Sequence, residues 1–186
     1  MPLMSLSTHP HRKGLSVREL VIFSMLGTLM CLSDLLMEAL PNIHILGLLI
    51  AAFTLTFGVK ALFPIYVYAF LIGLTSGFGL WWLPYLYIWT VLWGGIMLIP
   101  KRPPRPLLFT IVHVLTVLHG LLFGTLYAPV QALIFGLDFE GMLAWIAAGL
   151  SFDLIHAIGN LIFGFFIYPL TVLLEKLTYK KSRYAK

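Results

Sequence analysis

A chain of 186 residues that is 60% hydrophobic and only 10% charged, with a mean hydropathy of +0.98, is not a soluble domain, which would carry about a quarter charged residues. The formal net charge of +5 raises nucleic acid as a partner, but the placement of the cations accounts for it as membrane topology. A single cysteine, Cys31, excludes an internal disulfide and any thiol-rich metal site.

The length leaves room for about six spans of roughly 20 residues and little else. The expected organisation is a disordered basic cytoplasmic tail over residues 1–16, a six-helix transmembrane substrate-binding domain over 17–177 and a second basic cytoplasmic tail over 178–186. His9 and His11 fall in the first tail as a solvated pair. The first apolar run follows Arg12, Lys13 and Arg18, as in a signal peptide. It is too long for that role and no Ala-x-Ala-like cleavage site follows, so it reads as a retained helix.

That first helix, residues 17–39, carries Ser24, Gly27, Thr28 and Cys31, which make two small-x-x-x-small pairs. Small residues at this spacing let another helix approach closely in lipid, whether inside this chain or in a partner. Asp34 and Glu38 close the helix, and a turn containing Asn42 and His44 follows. Helices over 43–57 and 62–76 form a hairpin, with Pro64 harmless in the first turn of the latter. Gly73, Ser76, Gly77 and Gly79 make a flexible loop.

A fourth helix over 81–99 places Trp82, Tyr85, Trp89 and Trp93 on one aromatic face. The first two suit a membrane-interface belt. The deeper two either pack in the bundle or wall a pocket for a flat ring. Residues 100–106 (PKRPPRP) are a stiff basic connector that no helix crosses. In the fifth helix, 107–128, Thr116, His119, Phe123 and Tyr127 share a face, with Gln131 beyond Pro129. His113 lies on another face and reads as structural. Residues 130–149 read as an outer loop with an interfacial helix at 142–148. A break near 149–151 then starts the sixth helix over 152–174, kinked at Pro169.

The most informative stretch is SFDLIHAIGN at 151–160. Asp153, His156 and Asn160 recur at three- and four-residue spacing and so line one helix face. A carboxyl, an imidazole and an amide are costly against lipid and must face protein, water or a ligand. Ser151 as a helix cap and Asp153 as a first-turn acid is the plainer alternative.

With the N-terminus inside and six spans, all 12 Lys and Arg fall on the inner side, while Asp34, Glu38, Asp138 and Glu140 fall outside. Both termini are then cytoplasmic. Asp153 lies at the outer end of the last helix, with His156 and Asn160 about 5 and 10 Å deeper. Asn42, His44, Trp82, Tyr85, Trp89, His119, Tyr127 and Gln131 reach the same end from other segments. This is the anatomy of an outward pocket with aromatic walls and few polar groups.

The chain has no phosphate-binding Gly-x-x-x-x-Gly-Lys loop, no His-Glu-x-x-His pair and no Gly-x-Ser-x-Gly elbow. Asp153 and His156 make a conceivable acid–base couple, but no nucleophile is tied to them. His119, His156 and Asp153 do not fall into a recognised metal spacing, and no cofactor is expected.

The stretches ALPNIHI at 39–45, GFGLWWLPYLYIWT at 77–90 and FDLIHAIGN at 152–160, with the first helix, resemble a substrate-binding S component of an energy-coupling-factor (ECF) transporter. The resemblance extends over about residues 17–175. It implies an all-α, six-helix, multi-pass protein of the prokaryotic plasma membrane that is not an enzyme. Such a protein captures a vitamin or similar ring-containing micronutrient from outside. It works with a transmembrane coupling protein and two cytoplasmic ATPases. The resemblance also implies that the first loop, with Asn42 and His44, covers the substrate. By the same resemblance, the small-residue face of the first helix meets the coupling protein. Ser24/Thr28 and Gly27/Cys31 stand here where the family commonly has alanines. An intramembrane enzyme using Asp153 and His156, and a structural subunit whose polar stripes glue helices, are the competing readings.

Overall fold

The computed structural model describes residues 14–100 and 103–178. The two tails up to residue 13 and from 179, with Lys101 and Arg102 of the connector, lie outside the described residues. The described residues form eight α-helices: α1 (Val17–Met37), α2 (Leu46–Phe57), α3 (Leu62–Ser76), α4 (Ile88–Met97), α5 (Arg105–Leu121), α6 (Phe123–Phe135), α7 (Phe139–Gly164) and α8 (Ile167–Thr178). Short 3₁₀ segments at Gly58–Ala61 and Leu80–Leu86 precede α3 and α4, and no strand occurs among the described residues. Among the described residues, four helical stretches are long and apolar enough to cross a membrane: Val17–Met37, Leu46–Ser76, Arg105–Phe135 and Phe139–Gly164.

The helix α2 is the centre. It is apolar all round and almost wholly buried, as a helix surrounded by others must be. It packs on α4, α5, α7 and α8. Thr54 and Thr56 satisfy their hydroxyls on the carbonyls of Ile50 and Ala52 one turn back. Gly58, at φ +59°, ends α2 in a backbone region that L side chains rarely adopt, and the chain reverses there. The reversal is visible in the pairings. Phe57 meets Phe23 low on α1, whereas Lys60 pairs with Glu19, and Tyr68 donates to Asp34 farther along α1. Thus α2 runs against α1, and α3 runs with it.

Cys31 and Gly27 are buried where α1 meets α3; a Cβ on Gly27 would lie 2.6 Å from Val67 Cβ and 2.8 Å from the Pro64 carbonyl oxygen. The small pair Gly27/Cys31 is therefore consumed in internal packing. Ser24 and Thr28 stay exposed, the Thr28 hydroxyl donating to the Ser24 carbonyl at 2.9 Å. Arg18, Lys60 and Thr178 share a cavity lining, and Arg105 reaches Glu175, so Arg18, Lys60, Arg105 and Lys176 gather at one end of the bundle.

Four boundaries differ from the sequence reading. The outer loop and separate interfacial helix expected over 130–149 are instead two long helices. Here α6 continues through Pro129 to Phe135, turns at Gly136 (φ +64°), and α7 begins under the cap of Asp138, whose carboxylate accepts from the Gly141 amide at 2.8 Å. One glycine, Gly149, is too weak a breaker to interrupt α7, and stacking of Tyr127 on Trp145 pairs the two helices there. The break near 149–151 is absent, and the chain breaks at Phe165–Phe166 instead. Pro169 cannot donate to the carbonyl four residues back, at Phe165, which places the discontinuity there. The fifth helix is divided at Leu122 into α5 and α6. The fourth helix starts only at Ile88, because Pro84 lies in a 3₁₀ stretch, so Trp82, Tyr85, Trp89 and Trp93 do not share one face. Trp82 donates to the Ala69 carbonyl, while Trp93 donates to the Gly58 carbonyl at the opposite end.

Candidate functional site

Five elements each send one ring to a common point between the helices. The α1–α2 loop contributes His44, α4 Trp89, α5 His119, α6 Phe123 and α7 His156. His44 and His156 meet edge to face with centroids 4.5 Å apart. Phe123 lies 5.0 Å from His156 and 5.5 Å from Trp89, and Trp89 lies 5.9 Å from both His44 and His119. Tyr85 and Tyr68 flank Trp89 at 5.5 and 6.0 Å. Trp81 continues this line beyond Tyr85, at 5.5 Å. Beside Tyr85 opens a cavity of about 350 Å³, lined also by Asp34, Glu38 and Trp81, at the end of the bundle opposite the cations. A second, apolar cavity of about 240 Å³ between α4, α5 and α6 reaches His119 from the side.

The polar atoms of the cluster set it apart. His44 Nδ1, Trp89 Nε1, His119 Nδ1 and His156 Nε2 are buried without a hydrogen-bond partner, as is Asn160 Oδ1 one turn below His156. Each such atom costs about 1–3 kcal/mol, and native proteins hold only a few per 100 residues. Four of them are nitrogens of the ring cluster, whereas Asn160 Oδ1 lies against Gly47 of α2, where a Cβ would come within 2.6 Å of it. His44 belongs to the loop, and burial disfavours its charged form, holding its imidazole below the usual histidine range. Among the described residues, no group of three His, Cys, Asp or Glu side chains is placed to hold a metal ion.

The structure thus brings together His44, Trp89, His119 and His156, with Tyr85 at the margin and Asn160 beneath. Tyr127 stands next to Phe123 at 6.2 Å, but its hydroxyl donates to the Trp81 carbonyl and its ring stacks on Trp145. Gln131 lies one further turn away from the cluster along α6. Asn42 is exposed, with φ +55°, and shapes the turn that carries His44 inward. Trp82 packs on Phe78 and ties the 3₁₀ segment to α3.

Asp153 is buried, and both its carboxylate oxygens accept from the Gly124 amide, at 2.9 and 3.1 Å. That amide is one of the orphan donors at the start of α6, so Asp153 caps the helix that α5 breaks to form. Asn160 donates through Nδ2 to the Thr116 carbonyl at 2.9 Å, and His113 bonds the Leu161 carbonyl, so α5 is stitched to α7 along its length.

Phe123 and Tyr68 were not candidates from sequence. Phe123 sits one turn after His119 on the same face, which was the available signal. For Tyr68 the signal was a hydroxyl inside an apolar helix, with Asp34 as its acceptor at 2.8 Å. Compared with family models, curated proteins and solved structures, the chain matches none.

Proposed function

We propose that this chain is the membrane-embedded substrate-binding subunit of an energy-coupling-factor transporter, holding a small ring-containing micronutrient in the cluster around Trp89. The observation that carries the reading is the set of unpartnered ring nitrogens on His44, Trp89, His119 and His156, delivered by four separate elements. A structural bundle gains nothing from burying them bare; a binding site recovers their cost when the ligand arrives. The alternating directions of α1, α2, α3, α4, α5–α6 and α7–α8 support six passes. The described cations at one end support cytoplasmic termini in a prokaryotic plasma membrane. His44, in the loop at the other end, then acts as the movable cover, and the cavity beside Tyr85 is the way in.

The exposed Ser24/Thr28 pair is the face for the coupling protein, which links the bundle to two cytoplasmic ATPases. What favours this reading over an enzyme is that both Asp153 oxygens accept from the Gly124 amide, as a helix cap does. Coexpression with a coupling protein and its ATPases tests the proposal. The four should purify as one complex, and mass spectrometry of the isolated chain should find a bound small molecule. A chain that purifies empty and joins no such complex refutes it.

A further inference from the structure

We infer that the cavity between the end of α1 and the 3₁₀ segment before α4 binds an organic ammonium ion, its charge held by Asp34 and Glu38 and its body against Trp81 and Tyr85. The inference goes beyond the transporter reading and stands independently of it. Under that reading, the cavity is where a solute arriving from outside first rests.

The electrostatics of α1 point to a cation. Asp34 stands in the last turn of the helix and Glu38 is its C-cap, so two carboxylates four residues apart share one face. Like charges at this spacing repel, and the negative end of the helix dipole disfavours both. The last turn carries no basic residue to offset them. Among the described residues neither carboxylate has a cationic partner; the ion pairs Lys60–Glu19 and Arg105–Glu175 lie at the other end of the bundle. The sequence places no Lys or Arg at 19–59, 61–100 or 106–175, the stretches that build this end. His44, in the adjoining loop, is buried among the rings, where its charged form is disfavoured. Tyr68 gives Asp34 a hydrogen bond at 2.8 Å, which orients the carboxylate without neutralising it. The fold thus keeps two negative charges where they cost stability, and a bound cation offsets both the mutual repulsion and the dipole.

The shape of the site says which kind of cation. Both carboxylates line the cavity of about 350 Å³, together with Ser76, Trp81 and Tyr85. At about 30 Å³ for a water-sized atom, it has room for roughly a dozen non-hydrogen atoms. The Trp81 and Tyr85 rings meet with centroids 5.5 Å apart and planes at 89°, forming an aromatic corner across from the acids. A positive charge over the face of a Trp or Tyr ring is attracted by the ring quadrupole. An inorganic ion is served poorly here. Calcium and magnesium take six or more oxygens, and among the described residues no group of three His, Cys, Asp or Glu side chains is placed to hold a metal. A carboxylate or phosphate meets two like charges, and a neutral ring leaves both acids unbalanced. An organic ammonium ion satisfies the acids and the rings together.

The test is a titration of the purified full-length chain in nanodiscs of phosphatidylcholine, whose surface carries no net charge, read by calorimetry and tryptophan fluorescence. The probes are benzylamine (protonated at neutral pH), benzyltrimethylammonium (a cation without N–H), benzyl alcohol, benzoate and calcium. At least one organic cation should bind, with benzyl alcohol and benzoate weaker by at least about tenfold. Glu38→Gln should weaken the cation about tenfold, while the ligand-free variant melts no lower than the parent, because the change removes a repulsion. Trp81→Leu should weaken it about fivefold. Benzyl alcohol binding as tightly as the cations overturns the inference, since the cavity would then be merely apolar. Calcium binding more tightly than either organic cation, unaffected by Trp81→Leu, also overturns it in favour of an inorganic ion. Absence of cation binding up to about 10 mM, or binding indifferent to both substitutions, overturns the site. None of these failures touches complex formation with a coupling protein, which is measured separately.

Discussion

Removing the Asp153 carboxylate separates a helix cap from a ligand group. In Asp153→Ala the Gly124 amide loses its acceptors at 2.9 and 3.1 Å, in a place where neither residue reaches solvent. A buried donor left bare costs about 1–3 kcal/mol, and the small cavity left by the lost carboxyl adds to that. For a chain of this size 1 kcal/mol moves the melting temperature by about 2–4 °C, so a loss of roughly 4–10 °C is expected. Asp153→Asn keeps an acceptor oxygen toward Gly124 and should lose no more than about 1 kcal/mol, roughly 2–4 °C. Thermal unfolding of the three proteins in one detergent, followed by tryptophan fluorescence, measures the series, and the same samples report ligand affinity. If Asp153 is a cap, Asp153→Asn retains both fold and affinity. The reasoning fails if Asn is as damaging to stability as Ala. It fails equally if Asp153→Asn melts normally yet no longer holds the ligand, since the carboxylate would then be acting on the substrate.

The two small-residue pairs of α1 should separate cleanly. Gly27→Leu drives a side chain into Val67 and the Pro64 carbonyl and should cost about 1–3 kcal/mol or more, read as a lowered melting temperature. Ser24→Leu with Thr28→Leu alters an exposed face; it should leave melting unchanged and abolish copurification with the coupling protein. Trp82→Phe removes the donor to the Ala69 carbonyl and should cost about 1 kcal/mol, with ligand affinity unaltered, because Trp82 braces the 3₁₀ segment away from the ring cluster. The folded chain holds His44 below the unfolded pKa of about 6.5, so below that pH the unfolded chain binds more protons and stability falls. Melting curves from pH 8 to pH 5 should therefore decline below about pH 6.5, and His44→Gln should flatten that decline; a profile equally steep in the variant refutes the assignment.

What the sequence made legible follows from how each feature is encoded. The apolar runs, the turn at Gly58 and the gathering of the described cations at one end are carried by composition over many residues, so the helical class and the membrane-length apolar stretches could be read. His44, Trp89, His119 and His156 could be read too, because a polar or oversized aromatic group in an apolar run must be placed somewhere, and lipid is the costly place. Helix boundaries are set by tertiary bonds that leave no local mark. Leu122 carries no breaker, and α5 ends there because Asp153, 29 residues beyond Gly124, takes the Gly124 amide out of the helix. Likewise α7 runs through Gly149 because Trp145 has Tyr127 to stack on. The same blindness explains Trp82 and Asp153 as ligand candidates. Spacing tells which residues share a helix face, provided the helix is there. Pro84 turned that stretch into 3₁₀, rotating Trp82 away and letting Trp81 and Tyr85 lead into Trp89. Asp153 does lie at the level of the site, but a backbone amide reached it first. A polar residue in an apolar helix thus announces that it has a partner. Whether the partner is a ligand depends on whether the atom is still free in the folded chain, as Nε2 of His156 is and the Asp153 oxygens are not.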